Sequence, residues 1–207
     1  MKKIVIVAIL SVFMLNLSSC KKEKKETVEK SKKVEKYVID GTTTIVHWIG
    51  YKTTDKIPVK GSFKQVEISN VTPAENPVEV VKNVKFSIPV NSIFSNDSIR
   101  DYKLTNFLFG KMKNTSHIKG EVSLGDNGKG EAAITMNGFT KNVPLSYEVH
   151  GDDIKINAKI ELNNWQAQVA VAALNEVCSE KHKAADGKSV TWSEVDIMVE
   201  LKTILQK

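Results

Sequence analysis

The stretch VPLSYEVHGDDIKINAKIEL, residues 143–162, consists of two runs in which apolar and polar side chains alternate. Every second residue is apolar from Val143 to Val149 in the first run, and from Ile154 to Leu162 in the second. A period of two is typical of a strand with one buried face, and the glycine-containing tetrapeptide HGDD between the runs indicates a tight turn. The stretch therefore predicts a β-hairpin in an antiparallel sheet.

The same alternation recurs on both sides of this hairpin. The glycine-rich segment 125–130 has no helix after it and indicates another hairpin rather than a phosphate-binding loop, and Asn137-Gly138 marks the next reversal. About eight antiparallel strands joined by short turns predict an all-β fold, either a sandwich or an up-and-down, lipocalin-like β-barrel. We favour the barrel because closure removes exposed strand edges. The further predicted strands are 43–53, 58–69, 79–90, 118–124, 132–136 and 195–201.

Four segments depart from simple alternation. Apolar residues on both faces of 45–49 indicate a strand covered on both sides, and Pro89 within its predicted strand indicates an edge or a bulge. Segment 98–109 has apolar residues at mixed, mostly three-residue spacings and begins beside Asp97 and Ser98, which predicts a short capped helix. The small and apolar residues of 167–180 predict a second helix or a covering loop.

The amino-terminal residues have the composition of a secretory signal. Two lysines precede an apolar run at 4–17 that is short for a membrane-spanning helix, and the tetrapeptide LSSC ending at Cys20 resembles a bacterial lipobox. We therefore expect residues 1–19 to be a signal peptide and Cys20 to be acylated. An uncleaved membrane helix and cleavage without acylation are the alternatives.

Residues 20–36 contain eight lysines and four glutamates and almost nothing that could enter a core, which predicts a solvated tether. The signal peptide and this tether carry the whole formal charge of +6, whereas the predicted single domain at 37–207 has twenty basic and twenty acidic residues. Nucleic-acid binding requires basic residues concentrated on the folded domain. We therefore exclude nucleic acid as a partner.

Residue types that carry catalysis or bind metals form no recognisable pattern. The four histidines share no short ligand spacing, and neither a nucleophile elbow nor a nucleotide-binding glycine motif is present. Cys178 is the only thiol left once Cys20 is acylated, and we interpret it as a lone buried thiol, with a reactive nucleophile as the alternative. We therefore predict no catalytic residue, no metal site and no cofactor other than a bound lipid.

Arg100 is the only arginine, beside twenty-nine lysines. Its planar guanidinium can make the bidentate contacts that lysine cannot. We expect it to pin segment 98–109 to backbone carbonyls or to an acid such as Asp101, and direct ligand contact is the alternative. Aromatic residues occur on several predicted strands, where they would pack a solid core or, in a hollow barrel, line an apolar pocket.

Three segments, in this order along the chain, resemble the YceI-like family of exported lipocalin-type proteins. They are YVID at 37–40 leading through Trp48 to VKGSF at 59–63; NSI at 91–93 with SIRDYKL at 98–104, followed by Phe107 and Phe109; and MNGFTKNV at 136–143. The family commonly has a histidine where this chain has Lys103, and a Tyr-Pro element where it has MKNT at 112–115.

The resemblance implies an antiparallel barrel whose apolar cavity holds a polyisoprenoid chain or a similar amphiphile. A hydrocarbon tail gains about 0.8 kcal/mol per buried CH₂, so binding needs apolar length rather than catalytic groups. Arg100 would brace the 98–109 segment as a lid or meet a polar headgroup. The residues expected to line the cavity are Trp48, Phe63, Phe86, Ile88, Leu104 and Phe107.

We expect a protein that transports, stores or sequesters a polyisoprenoid or quinone-like lipid in the cell envelope. Lys21 is not the aspartate associated with inner-membrane retention, so we expect Cys20 to anchor the chain in the outer membrane, facing the periplasm. Whether the chain forms a homodimer stays open. The alternatives are an envelope hydrolase or isomerase that uses His47, His117 or His150 with a carboxylate at the barrel mouth, and an interaction domain with a solid core.

Overall fold

The computed structural model describes residues 35–206. The predicted signal peptide, Cys20 and nearly all of the predicted tether lie outside these residues. Within them, ten strands form one antiparallel sheet. The strands are β1 (Lys36–Lys52), β2 (Ile57–Phe63), β3 (Glu67–Ser69), β4 (Val84–Pro89), β5 (Ile93–Phe94), β6 (His117–Leu124), β7 (Lys129–Met136), β8 (Phe139–His150), β9 (Asp153–Glu161) and β10 (Thr191–Gln206).

The sheet curls so that its two ends meet. The strand order is β3-β4-β6-β7-β8-β9-β10-β1-β2-β5. β3 follows β2 along the chain and β5 follows β4, while β2 pairs with β5 and β3 with β4. Between these two pairs, the Lys64 backbone N–H donates to the Ser92 carbonyl over 2.9 Å. The predicted antiparallel, up-and-down barrel is therefore confirmed. β2 and β3 together form one bent strand of the barrel, and β4 and β5 form another.

Three α-helices interrupt the strands among residues 35–206. They are α1 (Pro77–Val80), α2 (Ser98–Lys103) and α3 (Gln168–His182). The Asp97 side chain accepts from the backbone N–H groups of Ile99 and Arg100, which satisfies the first turn of α2. The chain then continues through a π-turn at Leu104–Leu108 and a 3₁₀ turn at Phe109–Lys111. Both predicted helices are present.

Three local predictions were wrong or incomplete. The strand predicted from residue 79 begins at Val84, because Asn76 caps α1 and Pro77 suits a first helical turn. Pro89 ends β4, which is not an edge strand, at the bend that leads into β5. Ile45 is 40% exposed rather than covered, since it follows a register shift in β1 on the outer face of the barrel.

The tight turns agree with the sequence. Asn137 and Gly138 have φ values of 48° and 76°, so both central residues adopt the left-handed conformation that a two-residue hairpin turn requires. Gly151 also has a positive φ, 64°, between β8 and β9. No helix among residues 35–206 is long and apolar enough to cross a bilayer.

Candidate ligand-binding cavity

A cavity of about 170 Å³ lies between the inner face of the sheet and the helical segments. Its sheet side is built from inward-facing residues of β1, β2, β6, β7, β9 and β10, and its other side from α2, the turns that follow it and α3. The lining is mostly apolar. Besides residues discussed below, it includes Val59, Ile93, Leu108, Phe109, Ile118, Met136, Ile160, Leu162, Val171, Leu174, Val195 and Ile197.

Four of the seven residues predicted to contact a ligand line this cavity: Trp48, Phe63, Leu104 and Arg100. The Trp48 and Phe63 side chains are 7% and 6% exposed, and Phe63 packs edge-on against Phe109 with ring centroids 6.4 Å apart. The sheet therefore supplies two aromatic walls. That these residues contact a ligand stays a prediction.

The other three predicted residues lie away from the cavity lining. Phe86 packs against the inner wall where it pairs with Gly120, and Ile88 is a buried core residue. Phe107 stacks edge-on against Tyr102, with ring centroids 6.3 Å apart. The helical segment thus presents Leu108 and Phe109 to the cavity. The mixed periodicity of 98–109 could not reveal this, because a π-turn shifts which side chains face inward.

Arg100 makes the pinning contacts expected of it, and whether it also contacts a ligand stays a prediction. Its Nη1 donates to the Ser95 carbonyl over 3.4 Å and its Nη2 lies 3.3 Å from Asp97 Oδ2. Asp101 instead accepts from the Ser95 backbone N–H and hydroxyl over 2.9 and 2.6 Å. The guanidinium therefore pins the start of α2 through Asp97 rather than Asp101, while it also lines the cavity.

Four residues with basic side chains besides Arg100 line the cavity and were not predicted: Lys52, Lys103, Lys181 and His182. They come from β1, α2 and α3, which are far apart along the chain. The cavity opens beside them, since its lining there includes the exposed residues Lys181 and Ile99. Lysine is so common in this chain that no sequence signal distinguishes these three from the rest.

His182 takes part in a hydrogen-bond chain that fixes its protonation. The Asn175 amide nitrogen donates to the Ser189 carbonyl, so its oxygen accepts from the Thr191 hydroxyl over 3.0 Å. Thr191 Oγ1 therefore accepts from His182 Nδ1 at 2.6 Å, which places the ring proton on Nδ1. Burial, reinforced by Lys52 and other nearby cations, lowers the pKa of His182 to about 4, so the ring is neutral at pH 7.

Cys178 also faces the cavity and is half-buried. Burial raises the pKa of the thiol, and this effect outweighs the opposite influence of the neighbouring cations, Lys103 foremost. The thiol is thus less buried than expected from the sequence, and its low reactivity stays a prediction.

The three histidines considered for catalysis lie outside the cavity lining. His47 Nε2 is 3.9 Å from Glu200 Oε2, and His150 Nε2 is 3.4 Å from Glu148 Oε2, so two histidine–acid pairs do exist. His117 Nδ1 instead lies 3.2 Å from the Ser116 hydroxyl. His47 borders a separate, open groove of about 730 Å³ on the outside of the sheet. Among residues 35–206, no three His, Cys, Asp or Glu side chains cluster as a metal site would require.

Comparison with known proteins agrees with this architecture. The chain shares its fold with a polyisoprenoid-binding domain from Saccharophagus degradans implicated in plant cell wall breakdown, at a TM-score of 0.58 and 13% identity over 82% of this chain and 98% of that one. It also resembles BcnA of Burkholderia cenocepacia, at a TM-score of 0.51 and 16% identity over 80% of this chain and 99% of that one. No curated protein sequence matches the chain. The profile of the YceI-like domain matches residues 37–203, and the chain therefore belongs to the YceI-like family.

Proposed function

We propose that this chain binds a long apolar amphiphile, such as a polyisoprenoid or a quinone-like lipid, with its tail in the cavity between the sheet and the helical segments. The observation that carries the proposal is the mostly apolar lining of that cavity, to which both the sheet and the helical segments contribute. A tail gains about 0.8 kcal/mol for each CH₂ group that leaves water. The polyisoprenoid-binding domain that shares this fold supports the same class of ligand.

The size of the cavity limits what enters without rearrangement. Its volume of about 170 Å³ is close to the ~150 Å³ of an apolar cavity that stays dry and admits benzene, and below the ~300 Å³ at which ligand pockets usually begin. A long tail therefore needs a movable wall. Segment 98–111 is suited to this role, because α2 contains no buried residue and a π-turn follows it.

Val171 and Val169 of α3 allow a matched test. Val171 lines the cavity, whereas Val169, about half a helical turn before it on α3, is 75% exposed. Val171→Trp should fill the cavity and weaken equilibrium binding of tritiated farnesol by about tenfold or more, since bound CH₂ groups would be displaced. Val169→Trp should bind as the wild type does. Equal binding by both variants would sink the proposal.

Two checks accompany this test. Thermal unfolding shows whether Val171→Trp still folds, and Val171→Phe replaces it if it does not. Native mass spectrometry of protein purified from its own envelope should show a retained lipid. Protein that carries no lipid and binds no farnesol would contradict the proposed function.

We also propose that an acylated Cys20 holds the domain at the membrane, where it carries or stores its lipid on the periplasmic side of the outer membrane. The lipobox-like LSSC sequence supports this placement. Acyl chains on a single cysteine anchor a protein stably when more than one is present. Cys20→Ala should move the protein from the membrane to the soluble fraction, and mass spectrometry of the wild type should find an acylated amino-terminal peptide. Unchanged fractionation of the variant would refute the anchor.

A further inference from the structure

The mouth of the cavity concentrates positive charge. Lys52, Arg100, Lys103 and Lys181 all line it, and Asp97 is the only carboxylate among the lining residues. The predicted domain as a whole has equal numbers of basic and acidic residues. The excess at the mouth is therefore a product of the fold rather than of composition.

Two of the three lysines at the mouth have backbone carbonyls as partners. Lys52 Nζ donates to the Lys181 carbonyl over 3.3 Å, and Lys103 Nζ donates to the Val177 carbonyl. Both carbonyls belong to the last turns of α3, whose C-terminal end carries a partial negative charge. Among residues 35–206, no carboxylate lies within ion-pair distance of Lys52, Lys103 or Lys181.

Helix capping alone leaves part of this arrangement unexplained. It accounts for the contacts of Lys52 and Lys103, and Arg100 pairs with Asp97, but neither kind of contact accounts for Lys181, which lines the same opening. Four cations around one opening repel one another, and Asp97, the single carboxylate in the lining, offsets only part of their charge. The lowered pKa of His182, to which Lys52, Lys103 and Arg100 contribute, reflects the same positive potential.

We propose that the ligand is an anionic amphiphile, whose carboxylate or phosphate headgroup binds among Lys103, Lys181 and Arg100 while its tail occupies the cavity. This inference rests on the proposed function and narrows its ligand class. Lysine ammonium groups attract such an anion as point charges, and the Arg100 guanidinium, which already contacts Ser95 and Asp97, adds its positive charge and its remaining N–H groups.

Farnesol and farnesyl phosphate have the same hydrocarbon tail and differ only in the headgroup. The difference between their affinities therefore measures the contribution of the headgroup. At low ionic strength, the phosphate should bind at least about tenfold more tightly than the alcohol, because charge-assisted contacts are about twice as strong as neutral ones. The advantage should shrink as salt is added. Equal affinities would overturn the anionic headgroup and leave the proposed function standing, whereas failure of both ligands to bind would remove both.

Lys181 and Lys183 provide a matched pair for the mutational arm. Both are exposed and lie at the end of α3, but Lys183 pairs with Glu180 over 3.1 Å and does not line the cavity. Lys181→Met and Lys103→Met should each reduce the ratio of farnesyl phosphate affinity to farnesol affinity by a few-fold. Lys183→Met should keep the preference. Equal loss in all three variants would mean a diffuse charge effect and would contradict the proposed headgroup site.

The pKa of His182 supplies a second readout, which is separate from the affinity measurements. An anion bound beside the ring stabilises its protonated form, so farnesyl phosphate should raise the pKa of His182, measured by NMR titration, and farnesol should not. Inorganic phosphate tests the role of the tail. It should compete with farnesyl phosphate only weakly; equally strong competition would show a free-anion site and overturn the lipid headgroup.

Discussion

Trp48 of β1 is paired directly with Gly61 of β2, and its indole lies over the glycine. A Cβ at position 61 would overlap the indole and lie 2.6 Å from the Phe94 carbonyl oxygen. The Trp48 Nε1 donates to the Ser62 carbonyl over 3.3 Å. The Trp48 indole can therefore occupy this position only because residue 61 of the neighbouring strand is glycine. Such an aromatic–glycine pair fixes the register of the two strands.

Gly61→Ala should lower the free energy of unfolding by roughly 1–3 kcal/mol, because the indole and the strand must move apart. Urea denaturation measures this loss. Gly41→Ala in the same sheet is the control, since a Cβ there meets nothing within 4 Å. It should be neutral or stabilise by about 0.5–1 kcal/mol. A loss of the same size at both positions would show that the Trp48 contact is not its cause.

Asn137 ties three segments together from the β7–β8 turn. Its Oδ1 accepts from the Lys113 backbone N–H over 2.7 Å, and its Nδ2 donates to the Trp165 and Gln166 carbonyls over 2.8 and 3.1 Å. Asn137→Gly keeps the positive φ of the turn but removes these bonds. We expect a loss of about 2 kcal/mol in the free energy of unfolding, from three hydrogen bonds of about 0.5–1.5 kcal/mol each.

Asn127 is the control for that experiment. It also has a positive φ, 60°, in the exposed turn between β6 and β7. Asn127→Gly should change the free energy of unfolding by only a few tenths of a kcal/mol, because glycine replaces asparagine in the same backbone conformation. If Asn137→Gly behaves in the same way, its side-chain bonds contribute nothing to stability.

His182 should make stability depend on pH. Burial, reinforced by Lys52, Lys103 and Arg100, lowers its pKa in the folded state to about 4 from an ordinary value of 6.5. Between these values the unfolded chain binds more protons, so stability falls as pH decreases from 6.5 towards 4. His182→Asn should flatten the curve of Tm against pH in this window. His150→Asn, at an exposed position, should follow the wild-type curve, and identical curves for all three proteins would refute the assignment.

Cys178 should react slowly with thiol reagents. Burial raises the pKa of the thiol, so little of it is thiolate at neutral pH. In a Cys20→Ser background, iodoacetamide should modify Cys178 at least about tenfold more slowly than a free cysteine, and urea should abolish the difference. Val169→Cys in a chain that also carries Cys178→Ser gives the exposed comparison on the same helix. Comparable rates at positions 169 and 178 would mean that the native thiol is not shielded.

The strands and hairpins could be predicted because their causes are local. The alternation in 143–162 and the left-handed turn at Asn137-Gly138 each involve neighbouring residues, and the structure reproduces both. The start of β4 was missed because a cap at Asn76 competed with a good strand pattern. The lipobox-like pattern that ends at Cys20 is also local in sequence, and acylation of Cys20 stays a prediction.

The cavity and its charged mouth were decided by the tertiary structure. Lys52, Lys103 and Lys181 converge only because the barrel brings the end of β1 beside α2 and α3. No residue spacing in the sequence indicates that these three lysines lie close together. In a chain with twenty-nine lysines, no sequence feature distinguishes them from the others. The sequence by itself determined alternating antiparallel strands, since side-chain direction repeats every two residues along each strand. Which side chains share the interior depended on how distant strands and helices pack.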